Sequence, residues 1–226
     1  MKIGIIGAFG FEDVKKYCGG QPVKTRELYY LLENEFSKDS ISFADTYKWK
    51  KNPITFFFKT IKLIKKSNVV IILPAQNGLS VLSSLCVKFK RKNTKIFYDV
   101  IGGWLPDYLK TNKKVLNNLE KFNGIWIETK TMKDKLLSLG LKNIEIIPNF
   151  KNITPLSNSN LTYFSKQNNK FKVCTFSRVS KGKGITDLIR AVNYINSLDF
   201  NVELDIYGPI ETQYEQEFYN LVSNNS

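Results

Sequence analysis

Apolar runs of strand length alternate with helix-period segments along nearly the whole of this chain. The runs lie at 2–7, 41–44, 69–73, 95–100, 125–128, 144–147, 172–176 and 202–207. Between them come amphipathic segments at 22–36, 53–66, 78–90, 105–121, 130–139, 184–197 and 211–223. Two strands separated by a helix pair in parallel, because a parallel neighbour needs a crossover connection rather than a tight turn. The series therefore predicts an α/β protein built from parallel sheets with helices on their faces. It breaks once, after Pro148 and Asn149, where residues 151–169 are rich in Asn, Ser and Lys, have no period, and read as a linker. The linker divides the chain into a first Rossmann-like domain, 1–150, and a second, 170–226. The two strands and two helices of the second domain are too few for a self-sufficient doubly wound sheet.

Composition narrows what such a fold can do. With 226 residues, 42% of them hydrophobic, the chain can bury a substantial core. No run approaches the roughly 18 apolar residues of a membrane span, and the best, 69–74, reads as a buried strand. The residues after Lys2 resemble the apolar centre of a signal peptide, but Glu12 and Asp13 follow too soon and no small-residue cleavage site comes after them. Cys18, Cys86 and Cys174 are isolated and odd in number, which indicates neither a disulfide framework nor a cysteine-rich zinc site and fits a reducing cytoplasm. Histidine is absent, excluding Ser-His-Asp and Cys-His nucleophilic machinery, HExxH zinc sites and a histidine base. With no DxD motif either, no metal and no cofactor is expected.

The net charge of +14 is placed unevenly: residues 1–150 carry 26 Lys and Arg against 13 Asp and Glu, and residues 151–226 carry 8 against 7. Only four of the 34 cations are Arg, whose planar fork reads base edges, so no specific nucleic-acid recognition is expected. A lysine excess suits an anionic membrane surface; it is also what a Lys- and Asn-rich composition bias without a partner would give.

The most specific motif is FSRVSKGKGITDLIRA, residues 176–191. It follows a strand-like run, carries Arg178 and Lys183 across a glycine-bearing turn, and leads into a helix with Ile185, Leu188, Ile189 and Val192 on one face. A helix N-terminus offers backbone N–H groups and a partial positive charge, Gly184 lets a ligand approach the backbone, and two cations can neutralise a diphosphate. The arrangement resembles the nucleotide-sugar motif of retaining GT-B glycosyltransferases of family 4, in which an Arg after a strand is followed five residues later by a Lys-Gly pair. That register selects Arg178, Lys183 and Gly184. Lys181, followed by Gly182, has the wrong spacing and reads as a turn residue.

In the first domain, Gly4, Gly7 and Gly10 have GxxGxxG spacing, which is not the dinucleotide fingerprint. A loop instead reaches Gly19 and Gly20, after which Pro22 can start a helix carrying Leu28, Leu31, Leu32 and Phe36. GGQPVKTRELYYLL resembles the glycine-rich loop that faces the donor phosphates in GT-B enzymes, which makes Gly19 and Gly20 candidate phosphate contacts; a glycine turn that merely opens a helix is the alternative. IGGWLPDYL, 101–109, resembles a segment of bacterial capsule and exopolysaccharide members, and its Gly102, Gly103 and Trp104 lie at a strand's carboxyl end, where such sheets bind ligands. Many members place a His near the donor sugar. Here Asp99 and Asp107 are the nearest carboxylates that could replace it, although each also suits a structural role, Asp107 as a helix-start charge. The segment 124–149 also matches the end of the family's first domain, with Glu128 and Thr129 at a strand end as candidate cleft residues.

The resemblance implies a GT-B fold with a complete N-terminal acceptor-side domain and the first part of a C-terminal nucleotide-sugar-binding domain. The family's pair of glutamates eight positions apart has no counterpart here, so the chain is expected to be truncated and inactive alone. The implied reaction moves a sugar from a nucleotide diphosphate donor to a polysaccharide or lipid-linked oligosaccharide acceptor with retention and without metal. Arg178 and Lys183 would meet the leaving-group charge and the leaving phosphate would assist proton removal. A non-catalytic binding or partner module is the alternative; a sugar-nucleotide epimerase and a dinucleotide oxidoreductase are disfavoured. The helix expected at 53–66 is assigned a place at the inner face of a bacterial cell membrane. At 100° per residue, Ile54, Phe57, Phe58, Ile61 and Ile64 form a core stripe, while Phe56 and Leu63 project outward beside Lys59, Lys62 and Lys66.

Overall fold

The structure is a computed structural model, and it describes residues 1–14, 19–47, 49–151 and 170–223. Cys18 and all of the expected linker except Lys151 lie outside the described residues. The chain forms two compact units, Met1–Thr154 and Pro155–Ser226.

In the first unit six strands form one parallel sheet: β1 (Ile3–Gly7), β2 (Ile41–Asp45), β3 (Val69–Leu73), β4 (Lys95–Asp99), β5 (Gly124–Ile127) and β6 (Ile144–Ile146). Their spatial order is β2-β1-β3-β4-β5-β6. The β-branched run VVIIL of β3 and the wholly buried IGIIG of β1 are what a strand covered on both faces requires. Side chains alternate faces along each strand. Ile6, Val70, Ile72, Ile96, Tyr98, Ile125 and Ile127 belong to one core, while Ile3, Ile5, Ile71 and Leu73 belong to another on the opposite side.

The larger core is closed by α2 (Pro53–Lys66), α3 (Gln76–Phe89), α4 (Leu105–Thr111), α5 (Lys113–Leu119) and α6 (Lys130–Ser138). A single helix was expected over 105–121. Asn112 divides it, leaving the helical region at φ −116° and ψ 65°, donating its amide to Tyr108 O at 2.8 Å and accepting from Val115 N with its own carbonyl at 3.0 Å. Its side chain closes one helix while its backbone opens the next.

α1 (Gly20–Glu35) packs on the other face, and its inward side differs from the one expected. Lys24, Thr25, Arg26, Leu28 and Tyr29 are buried, whereas Leu31 and Phe36 are exposed. Gly7 explains part of this: a Cβ there would lie 2.8 Å from Thr25 Cγ2, so the helix approaches the strand through a small residue on each side. Gly4 does the same for α2, because its missing side chain leaves the space that Leu63 fills. Leu63 is accordingly 6% exposed, and the expected facing of α2 is corrected: Phe56, Thr60, Leu63 and Ile64 turn inward, while Ile54 and Phe58 are 71% and 72% exposed. Leu63 is therefore no surface contact, and Phe56 is half-buried against the core.

The second unit carries β7 (Lys170–Phe176) and β8 (Asn201–Tyr207), paired in parallel, with α7 (Ile185–Asn196) and α8 (Glu215–Ser223). Val179, Ile185, Ile189 and Tyr214 make its small core, and Leu204, Ile206 and Phe218 pack against it. The hydroxyls of Thr186 and Tyr214 meet inside it at 2.8 Å. Among the described residues Phe171, Val173, Phe176 and Tyr207 stay exposed, the last two rings stacked at 4.9 Å. No helix among the described residues is long and apolar enough to cross a membrane.

Candidate functional site

In the order β2-β1-β3-β4 the chain leaves β1 toward one side of the sheet and β3 toward the other, and a crevice opens where the directions diverge, outside the carboxyl ends of the strands. A pocket of ≈ 190 Å³ lies there. Ala8 follows β1, Thr46 follows β2, Pro74 and Ala75 follow β3, Trp49, Phe56, Phe57, Val81 and Leu82 supply apolar walls, and Asn77 of α3 adds a polar side chain. Gln21, from the first turn of α1, donates to Leu73 O at 2.7 Å and so fixes one polar wall.

The loop after β1 is already occupied by the protein's own carboxylate. Asp45, at the end of β2, accepts from Phe9 N and Gly10 N at 2.9 and 3.0 Å and from Tyr47 N at 2.8 Å. Those amides are thereby taken from any phosphate. Gly10 has φ 60°, the left-handed region that glycine enters without strain. The helix start at Gly19 and Gly20 is different. Gly19 is the N-cap and its carbonyl accepts from Val23 N at 3.2 Å, while the space in front of Gly20 is open. Gly20 also borders a wide cleft of ≈ 540 Å³, together with Lys24, Asn149, Phe150 and Lys151.

Asp99, the expected sugar contact at the end of β4, has a different partner. The Lys24 ammonium lies 2.8 Å from its Oδ1 and 3.3 Å from Glu128 Oε1, with the Lys24 and Asp99 side chains only 2% and 3% exposed. Burial pushes the Asp99 carboxyl above the usual range; Lys24 opposes this, and the neighbouring Glu128 adds to it. The geometry thus makes Asp99 an internal counter-ion rather than a group facing a ligand. Sequence reasoning had Asp99 and Glu128 as separate candidates and missed Lys24, which joins them. The signal was available, since Lys24 stands four residues before Leu28 and so shares its inward face.

Gly102 sits at φ 81°, the indole N–H of Trp104 donates back to Ile101 O at 2.9 Å, and Gly103 faces open space. Trp104 also packs edge-on to Tyr108 at 5.5 Å against the core, so it shapes this loop from within. Asp107 lies in the first turn of α4, paired with Lys110 at 2.6 Å, which lowers its pKa. Thr129 caps α6 by accepting from Met132 N at 3.3 Å.

In the second unit, β7 and β8 end side by side. Ser177 N donates to Tyr207 O at 3.1 Å, and Gly208 lies so close that a Cβ would stand 1.8 Å from Ser177 O. Arg178 follows, 60% exposed, with Glu211 Oε1 at 4.0 Å. A single turn of 3-10 helix at Lys181–Lys183 then leads to Gly184, which at φ 74° forms the left-handed junction into α7 and accepts from Leu188 N at 2.9 Å. Nothing stands within 4 Å of the Cβ position of Gly182 or Gly184, so the turn leading into α7 has free space beside it, while Ile185 and Thr186, the first residues of α7, are buried. The two lysines differ. Lys181 reaches Glu217 at 3.4 Å, while no described acidic side chain pairs with Lys183. Among the described residues no cluster of His, Cys, Asp and Glu could hold a metal ion.

No protein-family model matches the chain, and no curated protein matches it. Solved structures do. The sucrose-phosphate synthase of Thermosynechococcus elongatus superposes with a TM-score of 0.65 at 12% identity, over 100% of this chain and 68% of its own. The apo form of the lipopolysaccharide outer core galactosyltransferase WaaB gives 0.58 at 14% identity, over 98% and 65%. TarM gives 0.52 at 18% identity, over 75% of this chain and 34% of its own length. At these identities the likeness is one of fold, and the fold is GT-B.

Proposed function

We propose that this chain acts as a glycosyltransferase of the retaining GT-B type, with a nucleotide diphosphate sugar as donor and a surface-polysaccharide intermediate, lipid-linked, as acceptor. The observation that carries the reading is the edge of the second unit: an exposed Arg178, a Lys183 without a described acidic partner, and free space beside the turn at Gly184 that leads into α7. A diphosphate seated there would receive charge-assisted hydrogen bonds from both side chains and backbone N–H donation from α7.

During transfer the bond from the sugar's anomeric carbon to the diphosphate oxygen breaks and a bond to the acceptor hydroxyl oxygen forms. The hydroxyl proton passes to the departing diphosphate, so no histidine and no metal or cofactor is required of the protein. Negative charge grows on the leaving group as the bond breaks, and Arg178 and Lys183 act where it grows. Gly20 and the loop at Gly102, Gly103 and Trp104 are the first unit's contribution to sugar and acceptor binding in this reading. The lysine-rich surface of α2 holds the protein at the inner face of an anionic membrane, through Ile54, Phe58, Lys59, Lys62 and Lys66.

The test is direct. Calorimetry of this chain should detect nucleoside diphosphate binding without added divalent metal. A chain that binds no nucleoside diphosphate at any metal concentration would falsify the assignment.

A further inference from the structure

The pocket between β1 and β3 combines apolar walls with hydrogen-bonding groups that the protein itself leaves unused. Trp49, Phe57, Val81 and Leu82 supply walls, and Gln21, Thr46 and Asn77 supply polar side chains. The Gln21 amide has a fixed direction. Leu73 O can only accept, so the nitrogen 2.7 Å from it is the donor end and Oε1 is left over. No described residue donates to that oxygen, and none bonds the Thr46 hydroxyl or the Asn77 amide. The pocket thus holds one oriented acceptor, one free amide and one free hydroxyl among aromatic and aliphatic side chains. No charged side chain lines it, so a phosphate there would lose its hydration without gaining a cation.

A ligand group that completes this set must donate to Gln21 Oε1, accept from Asn77 or Thr46, and carry apolar surface for the walls. A hydroxyl donates and accepts but brings nothing to the walls. A bare methyl fits the walls but covers the Gln21 oxygen without giving it a donor, which costs a lost hydrogen bond. A secondary amide ending in a methyl supplies all three, through its N–H, its carbonyl oxygen and its CH₃. The ≈ 190 Å³ of the pocket is below the roughly 300 Å³ at which pockets for whole small molecules begin, so it holds a substituent rather than an oligosaccharide. The ring that bears the substituent has its own platform. Trp49 is 37% exposed and is steadied by Phe56 and Phe57, with ring centroids 6.0 and 6.2 Å away, which leaves indole surface for the C–H side of a sugar. We infer that the switch-point pocket reads the acetamido group of an N-acetylated sugar, with its N–H on Gln21 Oε1, its carbonyl oxygen on the Asn77 amide and its methyl against Phe57, Val81 and Leu82. The inference rests on the transferase reading of the preceding section and adds a selectivity that reading does not contain, for an N-acetylated sugar over its hydroxyl counterpart.

Paired methyl glycosides test it. The full chain is titrated, with saturation-transfer NMR as the readout, with the methyl glycosides of N-acetylglucosamine and N-acetylgalactosamine and with those of glucose and galactose. The N-acetyl member of each pair should bind about tenfold or more tighter, because it adds a hydrogen bond and a buried methyl, and its acetyl methyl should receive the strongest saturation. N-formyl glycosides, which lack only that methyl, should bind about fourfold more weakly than the N-acetyl ones. Gln21→Met and Asn77→Ala should each lower the N-acetyl preference by about three- to tenfold, the range of one neutral hydrogen bond. Val81→Trp, which fills the slot from a half-open helix position, should abolish it. Asn77 and Val81 are exposed, so their variants test the pocket even where Gln21→Met disturbs the contact of α1 with β3. Absence of sugar binding, equal affinity within each pair, or an N-acetyl preference that survives Val81→Trp would each overturn the assignment. So would equally tight binding of N-acetylglycine amide, which carries the acetamido group without a sugar. Nucleoside diphosphate binding, measured separately, distinguishes the two readings. Where it is found without an N-acetyl preference, the acetamido pocket falls and the transferase stands. An N-acetyl preference without nucleoside diphosphate binding upholds the pocket and removes the transferase.

Discussion

Both units end a parallel strand beside a cation, yet the two cations have different fates. In the first, Lys24 is drawn inside and held by Asp99 and Glu128, so its charge is spent within the protein. In the second, Arg178 and Lys183 stand in solvent on the strand-to-helix turn. A basic residue at the carboxyl edge of a parallel sheet is therefore not by itself a ligand contact. What decides is whether the fold has buried the cation against its counter-ion, as with Lys24 and Asp99 at 2.8 Å, or left it in solvent with a loose one, as with Arg178 and Glu211 at 4.0 Å. The net charges of the two halves mislead on this point, because the strongly basic first domain has hidden one of its edge cations while the nearly neutral second has exposed two.

The largest effect should come from breaking the internal pair. Lys24→Met leaves the buried Asp99 without its cation, beside a Glu128 whose side chain is 25% exposed, and should destabilise the first unit by about 3–5 kcal/mol, read from denaturant midpoints. Lys24→Met with Asp99→Asn should recover most of the loss. The sign of the pH dependence follows from the raised pKa of Asp99. The folded chain keeps that proton to higher pH than the unfolded chain, so this carboxyl's contribution falls as pH rises from the ordinary carboxylate range through its raised value, then levels off. Lys24→Met should steepen that fall. A single variant as stable as the parent would mean that the pair is not sealed, and the contrast between the units would collapse.

Next comes the solvent edge. Arg178→Ala and Lys183→Ala should each weaken nucleoside diphosphate binding by roughly 1.5–3 kcal/mol, the worth of a charge-assisted hydrogen bond. Lys181→Ala, whose cation already faces Glu217, should change it by less than about threefold, as expected for a screened surface charge. Equal losses at Lys181 and Lys183 would point to nonspecific attraction.

A smaller effect is expected from the turn that holds the two strand ends together. Gly208→Ala must push Ser177 O away from a backbone at φ 150°, and the crowding should destabilise the second unit by about 1–3 kcal/mol. The smallest is at the uncovered sheet face: Phe176→Ser, at a ring 74% exposed, should alter stability by no more than about 0.5 kcal/mol. A larger loss would show that this face is covered in solution.

The strands and helices were largely legible because apolar period alone specifies them, and β3 and α2 occupy the residues expected. The helix faces were less legible. The expected stripe of α2 counted apolar residues only, whereas the actual interior side includes Thr60 and leads to Ser67, both fully buried, with Ser67 bonding back to Leu63 O. Which side turned inward was decided by Gly4, far away in sequence, whose dent receives Leu63. The turn at 176–184 was legible as a motif because its residues are contiguous. The Lys24, Asp99 and Glu128 cluster was not, since its members come from three separate segments and only the fold brings them together.

The place of β1 in the sheet also bears on how the chain is made. Ile3 pairs with Ile41 on one side and with Val69 on the other, and every residue of β1 is buried. Neither neighbour exists when β1 leaves the ribosome. At about 5–20 residues per second, roughly 4–14 seconds pass before β3 emerges. Through that interval a short, sticky segment with two bare edges waits for partners, and an aggregation screen or a chaperone-depletion experiment should find its weakest moment there rather than in the finished protein.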